Sequence, residues 1–175
     1  MTCYHFISKK NLSRIKKDGV LKPNTRLFLI KNIDRMHKKY GLTDKDYNDV
    51  KNLVQKLPKD KFTCVIPKKY LKSWGNSGLL DEIKYFIKPH YVLEFEIPPK
   101  CKMFVREHFY QSPKYIKKIF RKNRYSQILE SDKTNIWVQY FKSTKSIKDE
   151  ADFKNIRVPE LWIGCPIKNY KLIKL

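Results

Sequence analysis

The sequence predicts an α+β fold built on a mixed or antiparallel sheet, and three observations carry that expectation. Helical periodicity is concentrated early in the chain and short strand-like runs late, rather than in the even alternation of a doubly wound sheet. Apolar residues make up 41% of the 175 and aromatics 14%, with only five Gly and nine Pro, a composition able to bury a core. With no internal repeat and no Gly/Ser-rich linker, residues 1–175 are expected to form one domain.

Residues 3–7 are aromatic and β-branched and read as a strand. Ser8 or Asn11 can cap a helix whose Leu12 and Ile15 stand three apart, with Gly19 placed to end it. A second strand is expected over 26–30. Asn32 or Asp34 can cap the next helix, which carries Ile33, Met36, His37 and Tyr40 on one side. Tyr47, Val50, Leu53, Val54 and Leu57 recur at three-to-four spacing and predict a helix over 44–57 that Pro58 stops. Residues 62–66 read as a strand, 74–78 as a loop and 79–87 as a short helix before Pro89.

The clearest strand is 91–97, where Tyr91, Leu93, Phe95 and Ile97 face one way and Glu94 and Glu96 the other. Beyond it, 103–105 is a strand candidate, 113–124 a basic helix and 136–141 a further strand. Residues 160–163 and 170–173 close the chain as a terminal hairpin around Pro166.

Composition also bounds function. No apolar run reaches the roughly 18 to 20 residues of a bilayer-spanning helix, and the first residues lack a signal pattern, so a cytoplasmic protein is expected. Cys3, Cys64, Cys101 and Cys165 lie far apart with no CxxC pair and no His at ligand spacing, so no metal site is signalled and buried free thiols are expected. Lys plus Arg number 39 against 17 Asp plus Glu, a formal net charge of +22. A field of that sign favours an anionic partner, with nucleic acid first.

Residues 4–20 resemble the opening of the ADP-ribosyltransferases, in which a Tyr-His or similar strand precedes a helix ending near Ile-x-x-Gly-hydrophobic; the interval from Ile15 to Gly19 is one residue longer here. The likeness is greatest to the diphtheria-toxin-like His-Tyr-Glu branch and to the DNA-modifying DarT toxins. Residues 26–30 with their helix, and 158–163, supply two further blocks in the family's order. The resemblance implies an α+β fold with a split β-sheet core and flanking helices, and a mono-ADP-ribosyltransferase that uses NAD as substrate. It implies that His5 hydrogen-bonds a ribose of NAD, that the Phe6 backbone holds the nicotinamide amide, and that Tyr40 stacks on nicotinamide. Where the branch keeps another aromatic this chain has Leu29, with Phe28 one place away as the candidate. Glu160 becomes the catalytic carboxylate, and its strand and that of His5 should be neighbours lining one pocket. Val158 stands where arginine- or asparagine-modifying relatives carry Glu or Gln, which argues against those acceptors.

Residues 114–125 carry the strongest nucleic-acid signal. A helix here buries Ile116, Ile119 and Phe120 while Lys117, Lys118, Arg121, Lys122 and Arg124 form a basic face for phosphates, and Tyr125 is placed to stack on a base. His37, His90 and His108 show no partner spacing and are read as structural. Two functional expectations follow: transfer of ADP-ribose to an anionic macromolecule such as nucleic acid, or a non-catalytic basic binding protein that keeps the fold.

Overall fold

The structure is a computed structural model that describes residues 1–26, 30–57, 59–153 and 155–175. Its strands are β1 (Thr2–Ile7), β2 (Thr25–Arg26), β3 (Lys61–Pro67), β4 (Tyr91–Glu96), β5 (Met103–Glu107), β6 (Lys145–Ile147), β7 (Pro159–Ile163) and β8 (Lys171–Lys174). Seven of them run in the order β6-β5-β7-β3-β1-β4-β8, with β2 pairing β3 off that path. All these pairings are antiparallel, as an α+β chain with long-range strand pairing allows.

The helices are α1 (Lys9–Asp18), α2 (Ile30–Tyr40), α3 (Asp44–Lys56), α4 (Leu71–Ser77), α5 (Leu79–Ile87), α6 (Pro113–Phe120) and α7 (Glu130–Lys142). None is long and apolar enough to cross a membrane. Ser8 caps α1 by accepting from the Asn11 amide, and Gly19 ends it at φ 64°, a left-handed turn that suits a residue without Cβ. Leu12 and Ile15 of α1 pack on one sheet face with Ile7, Val65, Leu93, Val105, Leu161 and Ile163. Against the other strand surfaces lie smaller apolar clusters, one built from α3 and α7 and another from α4 and α5.

Several elements depart from the sequence expectation. The strand expected over 26–30 falls largely outside the described residues, Phe28 and Leu29 included; Thr25–Arg26 pair with β3, and Ile30 already begins α2. Residues 74–78 are not a loop, because α4 continues through Ser77. Its anchor is Trp74, 2% exposed, whose indole donates to the Pro159 carbonyl at 3.0 Å, so tertiary packing overrides the turn chemistry of Gly75 and Asn76. Gly78 then breaks the chain at φ 83°, where an added Cβ would come within 3.1 Å of Pro113.

Residues 136–141 are not a strand but the second half of α7. That helix buries Thr134, Ile136, Val138, Tyr140 and Phe141, which lie on more than one side, with Ile136 packing toward α6 and Val138 and Phe141 toward α3. A run apolar on several sides has no single-face period to read, and its aromatic and β-branched content mimics a strand. The basic helix stops at Phe120, since Arg121 turns left-handed at φ 54° while its amide still donates to the Lys117 carbonyl. The terminal hairpin does not form either: β7 pairs β3 and β5 in mid-sheet, whereas β8 crosses to the edge beside β4. Finally, Cys101 and Cys165, 64 positions apart, form a disulfide between the β4–β5 and β7–β8 connections, leaving Cys3 and Cys64 as free thiols.

Candidate functional site

The site originates in a divergence of two central strands. β1 pairs β4 over six residues, but its ladder with β3 lasts only for Cys3↔Pro67 and Tyr4↔Ile66, after which β3 follows β7 through Thr63, Cys64 and Val65. At the point of parting the His5 ring bridges the gap, its Nδ1 2.8 Å from the Cys64 carbonyl oxygen. A carbonyl only accepts, so Nδ1 carries the proton and Nε2 keeps its lone pair. Burial holds the ring neutral by lowering its pKa, against the opposing effect of the Cys64 bond.

Beside this divergence opens a cleft of about 300 Å³. Residues 4–6 of β1 and 64–66 of β3 form its floor with Glu160, Trp74 and His108 stand on one side, and α5 supplies Glu82, Ile83 and Phe86. Apolar and aromatic surface dominates this lining, and its charged side chains are two carboxylates, with no Lys or Arg among the lining residues.

Glu160 organises the floor. It sits on β7 opposite Arg106 of β5 and is only 5% exposed. Its Oε1 accepts from the Cys64 thiol at 3.2 Å, and its Oε2 accepts from the Trp162 indole at 2.8 Å and from the Tyr140 hydroxyl. His108 Nδ1 also lies 3.2 Å from Oε1, an ion-pair distance whose angle falls short of an aligned hydrogen bond. Burial pushes the Glu160 pKa up, but the charge of a protonated His108 at ion-pair distance, the Tyr140 hydroxyl and the Arg106 charge outweigh it and bring the value to about 2. Burial, with the Glu160 charge behind it, drives Cys64 and Tyr140 well above their ordinary ranges, so both remain neutral donors. Arg106 is buried under the rings of Tyr140, Phe141 and Trp162, and its Nε donates to Thr144 Oγ1 at 3.0 Å.

His5, Phe6 and Glu160 therefore line one cleft although His5 and Glu160 are 155 positions apart in sequence. Their strands are not direct neighbours, because β3 lies between β1 and β7. Tyr40 ends α2 and is not among the residues lining the cleft, and Phe28 lies outside the described residues. His108, read as structural from its spacing, enters the cleft instead, because the end of β5 carries it alongside Glu160. Sequence reasoning also missed Cys64, Arg106 and Tyr140 as partners of Glu160; the one legible signal was Trp162, two positions on and hence on the same strand face.

Lys117 and Lys118 lie in the last turn of α6, Arg121 ends it, and Lys122 and Arg124 follow in the loop. Tyr125 is not a free stacking ring. It packs against the Ile116, Ile128 and Ile136 cluster and donates its hydroxyl to the Lys133 carbonyl at 3.3 Å. The exposed aromatics are elsewhere: Tyr85 and Phe86 of α5 are 55% and 61% exposed, and the Arg124 guanidinium sits 4.2 Å over the Tyr85 ring. Phe86 also lines the cleft, so α5 carries both a cleft residue and the ring beneath Arg124.

Among the described residues no group of three or more His, Cys, Asp or Glu side chains is arranged to hold a metal ion. No family model, curated protein or solved structure matches the chain.

Proposed function

We propose that the chain is a mono-ADP-ribosyltransferase that takes NAD as substrate and transfers ADP-ribose to nucleic acid. The observation that carries this reading is the single cleft that brings His5 and an ionised Glu160 together between aromatic walls. When nicotinamide departs, the C1′–N electron pair leaves with the ring and positive charge develops at the ribose. A carboxylate held ionised in a buried site stabilises that charge more than it stabilises the ground state. Phe6 and Phe86 offer flat apolar surface to the leaving ring, and about 300 Å³ suits the nicotinamide-ribose end of the substrate. No Lys or Arg is among the described lining residues, so a pyrophosphate would meet cations only beyond the lining, as in the Arg124 guanidinium over Tyr85. Tyr85, Phe86 and Arg124 combine the exposed rings and positive charge that suit an unstacked base and its phosphate.

One observation favours the non-catalytic reading: Glu160 is 5% exposed and its oxygens already accept from Cys64, Tyr140 and Trp162, an arrangement a structural hub would share. Labelled NAD with wild type and Glu160→Gln separates the two. In the transferase reading, nicotinamide release in the presence of DNA or RNA falls roughly 10²-fold or more in the variant while NAD still binds. If wild type neither binds NAD nor releases nicotinamide with either nucleic acid, the basic binding protein is the correct account.

A further inference from the structure

We infer that His108 is the general base of the transfer step, taking the proton of the acceptor nucleophile, and that Glu160 positions its ring. This rests on the reading of the cleft as an NAD site. Whatever group attacks C1′, an N–H or an O–H, must lose a proton as its lone pair forms the new bond. Transferred to His108 Nε2, that proton is balanced by departure of the C1′–N pair with nicotinamide, and the imidazolium later releases it to water.

The ring is held from several directions. Its backbone amide donates to the Val158 carbonyl at 2.9 Å, Trp74 packs beside it with ring centroids 5.0 Å apart, and Tyr140 meets it edge-on at 5.5 Å. Nδ1 is buried and turned to Glu160, whereas among the described residues Nε2 has no hydrogen-bond partner and is not one of the buried unpartnered atoms, in a residue that lines the cleft. Nε2 is therefore the nitrogen the ring offers a ligand. Protonation there puts charge on a ring whose Nδ1 lies 3.2 Å from a carboxylate, an ion-pair distance at which Glu160 stabilises the cation electrostatically.

The neighbouring groups serve less well. Glu160 is a weak base at neutral pH, with its carboxyl held down to about 2 and its oxygens occupied. His5 has a carbonyl rather than a carboxylate behind its Nδ1, and burial disfavours its cation. Among the described residues, the titratable and charged groups around His108 are Glu160 from β7, Tyr140 from α7, Cys64 from β3 and Arg106 and Glu107 from β5, with His5 and Glu82 in the same cleft. Cys64 and Tyr140, both driven upward, stay protonated throughout the neutral range.

The test measures nicotinamide release from NAD with mixed-sequence single-stranded DNA and RNA oligonucleotides, across pH, for wild type, His108→Ala and His108→Gln. Tryptophan fluorescence reads NAD binding, and circular dichroism reads folding. The expected result is a 10²- to 10⁴-fold loss of kcat in folded variants that still bind NAD, with the acid limb of the wild-type profile gone. Added imidazole should restore part of the rate to His108→Ala, which leaves room for it, and none to His108→Gln. A variant with the wild-type rate, or a slowed one that keeps the acid limb and is not rescued, overturns the role of His108 alone. A wild type that binds no NAD overturns the NAD reading and this inference with it.

Discussion

Glu107 ends β5 and Glu160 lies diagonally across from it on β7, both buried, yet their partners differ in kind. The Glu107 carboxylate accepts from three backbone amides, those of Phe109, Arg157 and Val158, at 3.0, 2.8 and 3.0 Å. Glu160 accepts from side chains of β3, α7 and β7 and faces the His108 ring. A carboxylate bonded to amides fastens chain segments together, because amides are available in any sequence. One that gathers a thiol, a phenol, an indole and an imidazole depends on four residue types being brought to one point, and this one lines a cleft. The contrast separates a structural carboxylate from a functional candidate more sharply than burial does, since burial is alike for the two.

The largest expected effect on stability comes from Glu107. Glu107→Ala leaves three amides without their acceptor, and at about 1–3 kcal/mol each for a buried unsatisfied group the loss should reach roughly 3 kcal/mol or more in chemical denaturation. Nicotinamide release per folded molecule should hold. A variant as stable as wild type, or one folded but inactive, would erase the distinction between the two carboxylates.

Acid sharpens the Glu160 side. Its carboxyl binds a proton less tightly folded than unfolded, at about 2 against the ordinary 4.5. The associated stability is therefore complete above about 4.5 and is lost as pH falls through about 2, a change on the order of 3 kcal/mol. Denaturation midpoints measured between those limits should fall steeply for wild type and less for Glu160→Gln. Parallel curves would show that the carboxylate is not held ionised by its neighbours.

The smallest effect on stability, and a purely surface one, belongs to the basic flank. Replacing Lys117, Lys118 and Arg121 together by Ala should change stability by less than about 0.5 kcal/mol per site. It should nevertheless weaken single-stranded oligonucleotide binding and flatten the dependence on salt by up to about 0.7 per lost phosphate contact. An unchanged slope would return these residues to an ordinary solvated face.

Local elements were legible wherever one signal dominated. Ser8 and Gly19 delimit α1, the spacing of Tyr47, Val50 and Val54 marks α3, and the alternation of Leu93 and Phe95 with Glu94 and Glu96 marks β4. Where local signals conflicted with packing, packing won. Trp74 draws Gly75 into a helix, and the several buried sides of α7 make an aromatic run helical that would otherwise pass for a strand.

The sequence by itself determined the charge and the mostly local elements, because each depends on residue identity or on spacing within a few turns, while His5 and Glu160 became candidates through the resemblance of their segments to ADP-ribosyltransferases. Only the tertiary structure decided that β3 would lie between their strands, that Cys101 would meet Cys165, and that Cys64, Arg106, Tyr140 and His108 would converge on one carboxylate. The physical reason is the pairing of strands distant in sequence. Which residues face each other across β3, β5 and β7 follows from register and from burial of the whole sheet, and the spacing within one strand marks its buried face without naming its partner strand.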